Sequence, residues 1–212
     1  MESNKLTLHC FAGDTQSLAI ILLADFLGLR LAVRHLKPIN LTEKLYKKTI
    51  SKTFPMLQVE QPAGAVFLER SNAILRFLAR SASARELHDD TTPFAAAQAD
   101  QILDLLCEEL LPPAFTLQAA RAGIIELEAA ERATIEAELA AALRVLEECL
   151  AGVAALPLSL FDFSLFALSG ALAQEARLPA LPRLDERLSR AAADSRFAGA
   201  TAAFRRPKGR AN

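Results

Sequence analysis

The sequence predicts an α/β domain of order βαβαββα over residues 1–80, a linker at 81–92, an all-α bundle over 93–204 and a basic tail or linker at 205–212. Three observations predict it. Two β-forming runs flank an apolar helical stretch near the N-terminus, a proline-led apolar run, turn and second apolar run lead into a helix at 53–79, and no convincing strand follows Pro93.

Leu6 to Phe11 is rich in β-formers and reads as a first strand, Ala12-Gly13-Asp14-Thr15 as a turn, and Ser17 to Leu27 as an apolar helix stopped at Gly28. Leu31 to Leu36 reads as a second strand. Pro38 to Lys52 is polar and carries Lys44, Lys47, Lys48 and Lys52; it is expected to hold a short second helix. Those lysines suit a solvated face, with weak attraction to RNA phosphates as the sharper reading.

Phe54 to Val59 is a short apolar run with proline near its start, the residue type that suits a strand's beginning or edge and the usual site of a cis peptide. Gln61-Pro62-Ala63-Gly64 is a turn and Ala65 to Leu68 the second arm of a hairpin. Ser71 stands before Ala73, Ile74, Phe77 and Leu78 at helical spacing and is placed to cap that helix.

Beyond the linker, Phe94 to Gln118 carries Ile102, Leu105, Leu106 and Leu110 at helical spacing, with a kink or break expected at Pro112-Pro113. Ile135, Leu139, Leu143, Leu146 and Leu150 form one stripe of a second helix. Ser159 and Asp162 at the head of Phe163, Leu165, Phe166 and Leu168 have the spacing of a capping box, a folding feature. Phe204 onward reads as a basic segment leading elsewhere.

The order strand, turn, strand, helix at 53–79, with Pro55 and Ser71-Asn72-Ala73-Ile74, resembles the thioredoxin-like domain of the glutathione S-transferase superfamily; Ser159-x-x-Asp162 resembles the box opening the core helix of its α-domain. The likeness spans roughly residues 5–204, with Leu181 to Leu188 resembling the family's last helix and Asp194 to Phe197 the turn after it. It implies that Arg70, Ser71 and, beside Pro55, Met56 are what is left of a glutathione cleft. The family places a Glu or Gln where this chain has Arg70, a group with donors only that repels the ligand's ammonium, so glutathione is expected to bind weakly or not at all, and no cofactor is expected. Aligned on the strand, Cys10 falls at the family's thiol-activating position, a weak catalytic candidate; aligned on the helix, Asp14 does.

Composition bounds the rest. With 212 residues and 52% hydrophobic content the chain can bury a sizeable core. A net charge of −1 gives no overall pull toward nucleic acid, although residues 1–85 carry 12 Lys/Arg against 6 Asp/Glu and residues 86–212 carry 12 against 19. Cys10, Cys107 and Cys149 are scattered, and His9, His35 and His88 have no ligand spacing, so neither a disulfide framework nor a metal is indicated. No run of 18 apolar residues and no leader-like N-terminus suggest a cytoplasmic protein without membrane contact.

The missing activating residue and the basic end together resemble the family's non-catalytic modules in translation proteins. The resemblance implies a homodimerising or docking module for like domains of aminoacyl-tRNA synthetases or translation factors, with tRNA bound through a domain beyond this chain. Its interaction faces would be residues 42–50 with 71–80, and a last-helix face carrying Asp185, Arg187 and Arg190. The alternative is a glutathione transferase, or the γ subunit of elongation factor 1 with residual transferase activity.

Overall fold

A computed structural model describes residues 5–36, 47, 50–51, 53–87, 92–153, 157–172 and 179–205. They form two compact units: the first holds residues 1–85 together with 194–212, the second residues 86–193. The division falls inside the expected linker, but the last helix belongs with the N-terminal unit rather than with the bundle. The expected second helix, Lys44, Lys48, Lys52, His88 and residues 206–212 lie outside the described residues; Lys47 is exposed. Among the described residues no helix is long and apolar enough to cross a membrane, and no three His, Cys, Asp or Glu side chains gather as a metal would need.

The first unit is a four-stranded sheet of order β2-β1-β3-β4, built from β1 (Leu6–Phe11), β2 (Leu31–Leu36), β3 (Met56–Gln61) and β4 (Gly64–Glu69). β2 runs parallel to β1, while β3 is antiparallel to both β1 and β4. The parallel pair needs a crossover, supplied by α1 (Thr15–Phe26); the antiparallel pair needs only the turn at 62–63. β1 is central and buried on both faces, which is why its sequence mixes Leu6 and Leu8 with buried Thr7 and His9. α2 (Ser71–Ser81) packs on α1 and on β3 and β4 through buried Ile74, Leu75 and Leu78.

α1 ends where the sequence says it must. The N–H of Leu29 donates to Ala24 O at 2.8 Å and that of Gly28 to Asp25 O at 3.0 Å, a Schellman closure with Gly28 at φ 67°. A Cβ added there meets open space, so the cost of Gly28→Ala is the left-handed backbone alone. It is expected to lower stability by about 1 kcal/mol, read from the urea midpoint at unchanged slope.

The second unit is helical: α3 (Pro93–Leu105), α4 (Leu111–Arg121), α5 (Ala129–Gly152), α6 (Leu160–Leu172) and α7 (Pro182–Ala193). Two of the starts have a local reason. Thr92 Oγ1 accepts from Ala95 N at 3.1 Å with Pro93 following, and Glu128 and Glu131 form a reciprocal box at α5. Between α3 and α4 the chain runs through one π turn, Leu106–Leu110, just before the prolines rather than at them. Pro112 and Pro113 lack the N–H groups that would bind the carbonyls four residues back, so the regular ladder cannot continue and the turn widens.

Asp194 opens a further helix, α8 (Ser195–Arg205), where the sequence suggested only a turn. Its carboxylate accepts from the N–H groups of Arg196 and Phe197 at 2.8 and 3.1 Å. α8 packs on α1, with Phe197 buried and the Arg196 guanidinium 4.3 Å from the centre of the Phe26 ring.

Candidate functional site

Register decides what lies beside what at one end of the sheet. Met56 is paired with His9 on one side and Glu69 on the other, so the chain continuing from Glu69 into Arg70 and Ser71 lies next to Pro55 and Met56. The four expected cleft residues are thus brought together. The Phe54–Pro55 peptide is cis, and Pro55 and Met56 are buried.

Ser71 is not the helix cap that the sequence suggested. The cap position belongs to Arg70, whose backbone has φ 72° and whose side chain makes no capping hydrogen bond; Ser71 is the first helical residue and is buried. A guanidinium has no acceptor to offer the first-turn N–H groups. This corner therefore carries an exposed cation over helix N–H groups that no side chain at the cap position satisfies, an arrangement suited to a carboxylate.

Glu69 ties the preceding segment to the corner. Its carboxylate accepts from Ser51 N at 2.9 Å, from Ile50 N and from the Ser51 hydroxyl. Burial pushes this carboxyl up, but the Ser51 hydroxyl, the two amides and the Arg70 charge outweigh it and leave it below its ordinary value.

Cys10 is fully buried on β1, its Sγ 3.8 Å from Nδ1 of the exposed His35 on β2. Burial pushes the thiol up; the hydrogen bond with Ser17 opposes this and the Asp14 charge adds to it, with a raised value as the result. The thiolate is the reactive form of cysteine. A buried, protonated thiol offers a substrate neither access nor a nucleophile, and Cys10 is a packing residue. His9 is buried on the same strand, with its Nε2 3.0 Å from Gln58 Oε1, while Gln58 Nε2 donates to Glu60 Oε1 at 2.6 Å.

In the second unit the expected interface residues separate. Asp185 and Arg190 are exposed on α7, but Arg187 is 5% exposed and turned inward. Its Nε donates to Asp162 Oδ1 and its Nη2 to Asp162 Oδ2 and to Pro157 O, each at 2.6 Å, and its guanidinium lies 4.7 Å from the centre of the Phe161 ring. Arg187 is already stacked and paired within its own chain, which corrects its placement on a partner-facing surface.

Asp162 does more than the expected cap. It accepts from Ser159 N at 2.7 Å, while the Ser159 hydroxyl donates to Pro157 O at 3.1 Å rather than back into the helix. Burial pushes the Asp162 carboxyl up against the pull of Arg187 and of the Ser159 amide. A small cavity of about 110 Å³ lies against this pair, lined also by Leu158, Arg190 and Ala191. Glu147 of α5, which the sequence reading missed, is buried and caps α7 from outside: its carboxylate accepts from Arg183 N at 3.1 Å and Leu184 N at 2.8 Å.

No family model matches the sequence, and no curated protein matches it at a significant level. Solved structures do resemble it in fold. Ure2p in complex with glutathione superposes with a TM-score of 0.78 at 12% identity, covering 94% of this chain and 100% of that one. A glutathione transferase of Phanerochaete chrysosporium in complex with oxidized glutathione gives 0.78 at 15%, covering 94% and 96%. The glutathione S-transferase of Xylella fastidiosa gives 0.70 at 21%, covering 93% and 98%. The chain has the glutathione S-transferase fold.

Proposed function

We propose that the chain is a glutathione S-transferase-like protein that binds a γ-glutamyl tripeptide at the corner formed by Pro55, Met56, Arg70 and Ser71. The observation that carries this reading is the Met56 to Glu69 pairing, which sets Arg70 and Ser71 beside the start of β3. A peptide laid there would meet main chain at Pro55–Met56 and the N-terminus of α2 at Ser71. Arg70 repels the ligand's ammonium, yet it attracts the carboxylate on the same carbon, and the α2 N–H groups and the Ser71 hydroxyl favour that carboxylate too. Two named neighbours of the same fold are complexes with glutathione and with oxidized glutathione, which supports the choice of ligand class.

Calorimetry on the whole chain tests the reading. Glutathione is expected to bind, and Ser71→Ala to weaken it at least tenfold, roughly the worth of one hydrogen bond to a charged group. No heat of binding up to millimolar ligand would remove the proposal.

Pairing with a second copy, or with like domains of aminoacyl-tRNA synthetases or translation factors, stays a separate proposal, for which sedimentation of the whole chain is the test. Asp185 and Arg190 are exposed on α7, whereas Arg187 is buried.

A further inference from the structure

The turn from β1 into α1 leaves the sheet at the same corner. The pairing of β1 with β3 ends at His9 and Met56, and beyond it the Phe11 and Phe54 rings meet edge to face, 5.5 Å between centres. The next residues are the turn Ala12-Gly13-Asp14, whose Asp14 N–H donates back to Phe11 O at 3.4 Å, and the first turn of α1; a tripeptide bound as proposed above and running from Ser71 across Pro55–Met56 would lay its middle residue, the one bearing sulfur, toward Asp14.

That helix N-terminus is already closed by the chain's own charge. The Asp14 carboxylate accepts from Gln16 N at 3.3 Å, from Ser17 N at 3.0 Å and from the Ser17 hydroxyl. Two backbone donors and a hydroxyl that could have stabilised a thiolate are thus spent on a carboxylate, and the carboxylate itself repels a second anion. Of the other nearby titratable groups, Cys10 is a buried protonated thiol and adds no positive charge, His35 lies on β2 with its Nδ1 3.8 Å from Cys10 Sγ, and Arg70 is the cation that the reading above pairs with the ligand's carboxylate. Burial pushes the Asp14 carboxyl up and the hydrogen bonds from Ser17 and Gln16 oppose this, with a raised value as the result.

Resting on the reading above, we infer that this corner takes the S-substituted form of the tripeptide, a thioether or disulfide whose sulfur carries no proton, and does not hold the thiolate, with Asp14 as the residue that sets the preference. Loss of a proton from a bound thiol would place two negative charges together, whereas an S-substituted sulfur never acquires one. The preference is therefore expected to widen as pH rises.

The experiment uses the whole chain with glutathione and S-methylglutathione. Affinities are measured by calorimetry, and ionisation of the bound thiol is followed by thiolate ultraviolet absorbance against pH. S-methylglutathione is expected to bind at least as tightly as glutathione at neutral pH, and the bound thiol to ionise no more readily than the free one. Asp14→Asn keeps a competent helix cap, so the variant should fold; it is expected to acidify the bound thiol by about tenfold in its ionisation constant. A wild-type bound thiol acidified tenfold or more, or an ionisation unmoved by Asp14→Asn, overturns the inference alone. Failure of both ligands to bind overturns the underlying reading and this inference with it.

Discussion

Replacing Arg187 with methionine is expected to destabilise the helical unit by about 3–5 kcal/mol, because it leaves the Asp162 carboxylate buried without its counter-charge. The chain of causes is short. Asp162 is fully buried at the head of α6, Arg187 reaches it from α7 with two hydrogen bonds of 2.6 Å, and a third goes from Arg187 to Pro157 O. Removing the cation keeps most of the packing against Phe161 and strands the anion. Replacing both members, Arg187→Met with Asp162→Asn, should restore much of the loss, since the desolvated charge then goes as well.

The pH dependence has a definite sign. Burial alone raises the Asp162 carboxyl, and without Arg187 it rises further. A folded-state value above the unfolded one costs stability at high pH. That cost fades as pH falls through the folded value and is gone below the unfolded one, about 3.9. The single variant should therefore lose least, relative to wild type, in acid. Urea unfolding at several pH values is the measurement; a deficit under about 1 kcal/mol at neutral pH would mean that the pair does not hold α6 to α7.

The second large effect belongs to Glu147. Glu147→Ala is expected to cost about 2 kcal/mol, because two first-turn N–H groups of α7 lose a charged acceptor in a buried setting. Glu147→Gln should cost about half as much, its amide offering one oxygen instead of two. Hydrogen exchange provides the local readout: the amides of Arg183 and Leu184 should lose protection ahead of the rest of α7. Unchanged exchange at those two positions would show that α7 is closed by something other than Glu147.

Residues 5–36 and 53–81 were legible because local pattern and tertiary need agree there. β1 and β2 fall where their β-formers are, and Gly28 stops α1 through a conformation that other residues adopt at a cost. The corner was legible as a set of residues, but the sequence assigned Ser71 a cap role that the backbone gives to Arg70. Capping propensity names a residue type, whereas the positive φ at residue 70 is imposed by how β4 turns into α2.

The long-range pairs were harder. Periodicity says which face of a helix is buried and nothing about which charge lies opposite, so Arg187 and Asp162, 25 residues apart, were read as members of two unrelated features. A signal was present all the same. Arg187 stands on one stripe with Leu184 and Ala191, and Glu147 stands among Leu143, Leu146 and Leu150; a lone charge on an apolar stripe calls for a partner. α8 was missed because its alanine-rich sequence carries little amphipathic contrast, and its start was read as a terminal turn rather than as an Asp194 cap.

The membership of α8 has a consequence for how such a chain comes off a ribosome. Residues 1–85 emerge early, yet the helix that lays Phe197 and Arg196 against α1 is made only after the whole of residues 86–193. At roughly 5–20 residues per second, the first unit waits on the order of ten seconds with the α1 surface that α8 will cover still open to water. Over that interval the nascent chain presents an apolar strip that a chaperone can hold, and the N-terminal unit becomes complete only after the helical unit has been synthesised.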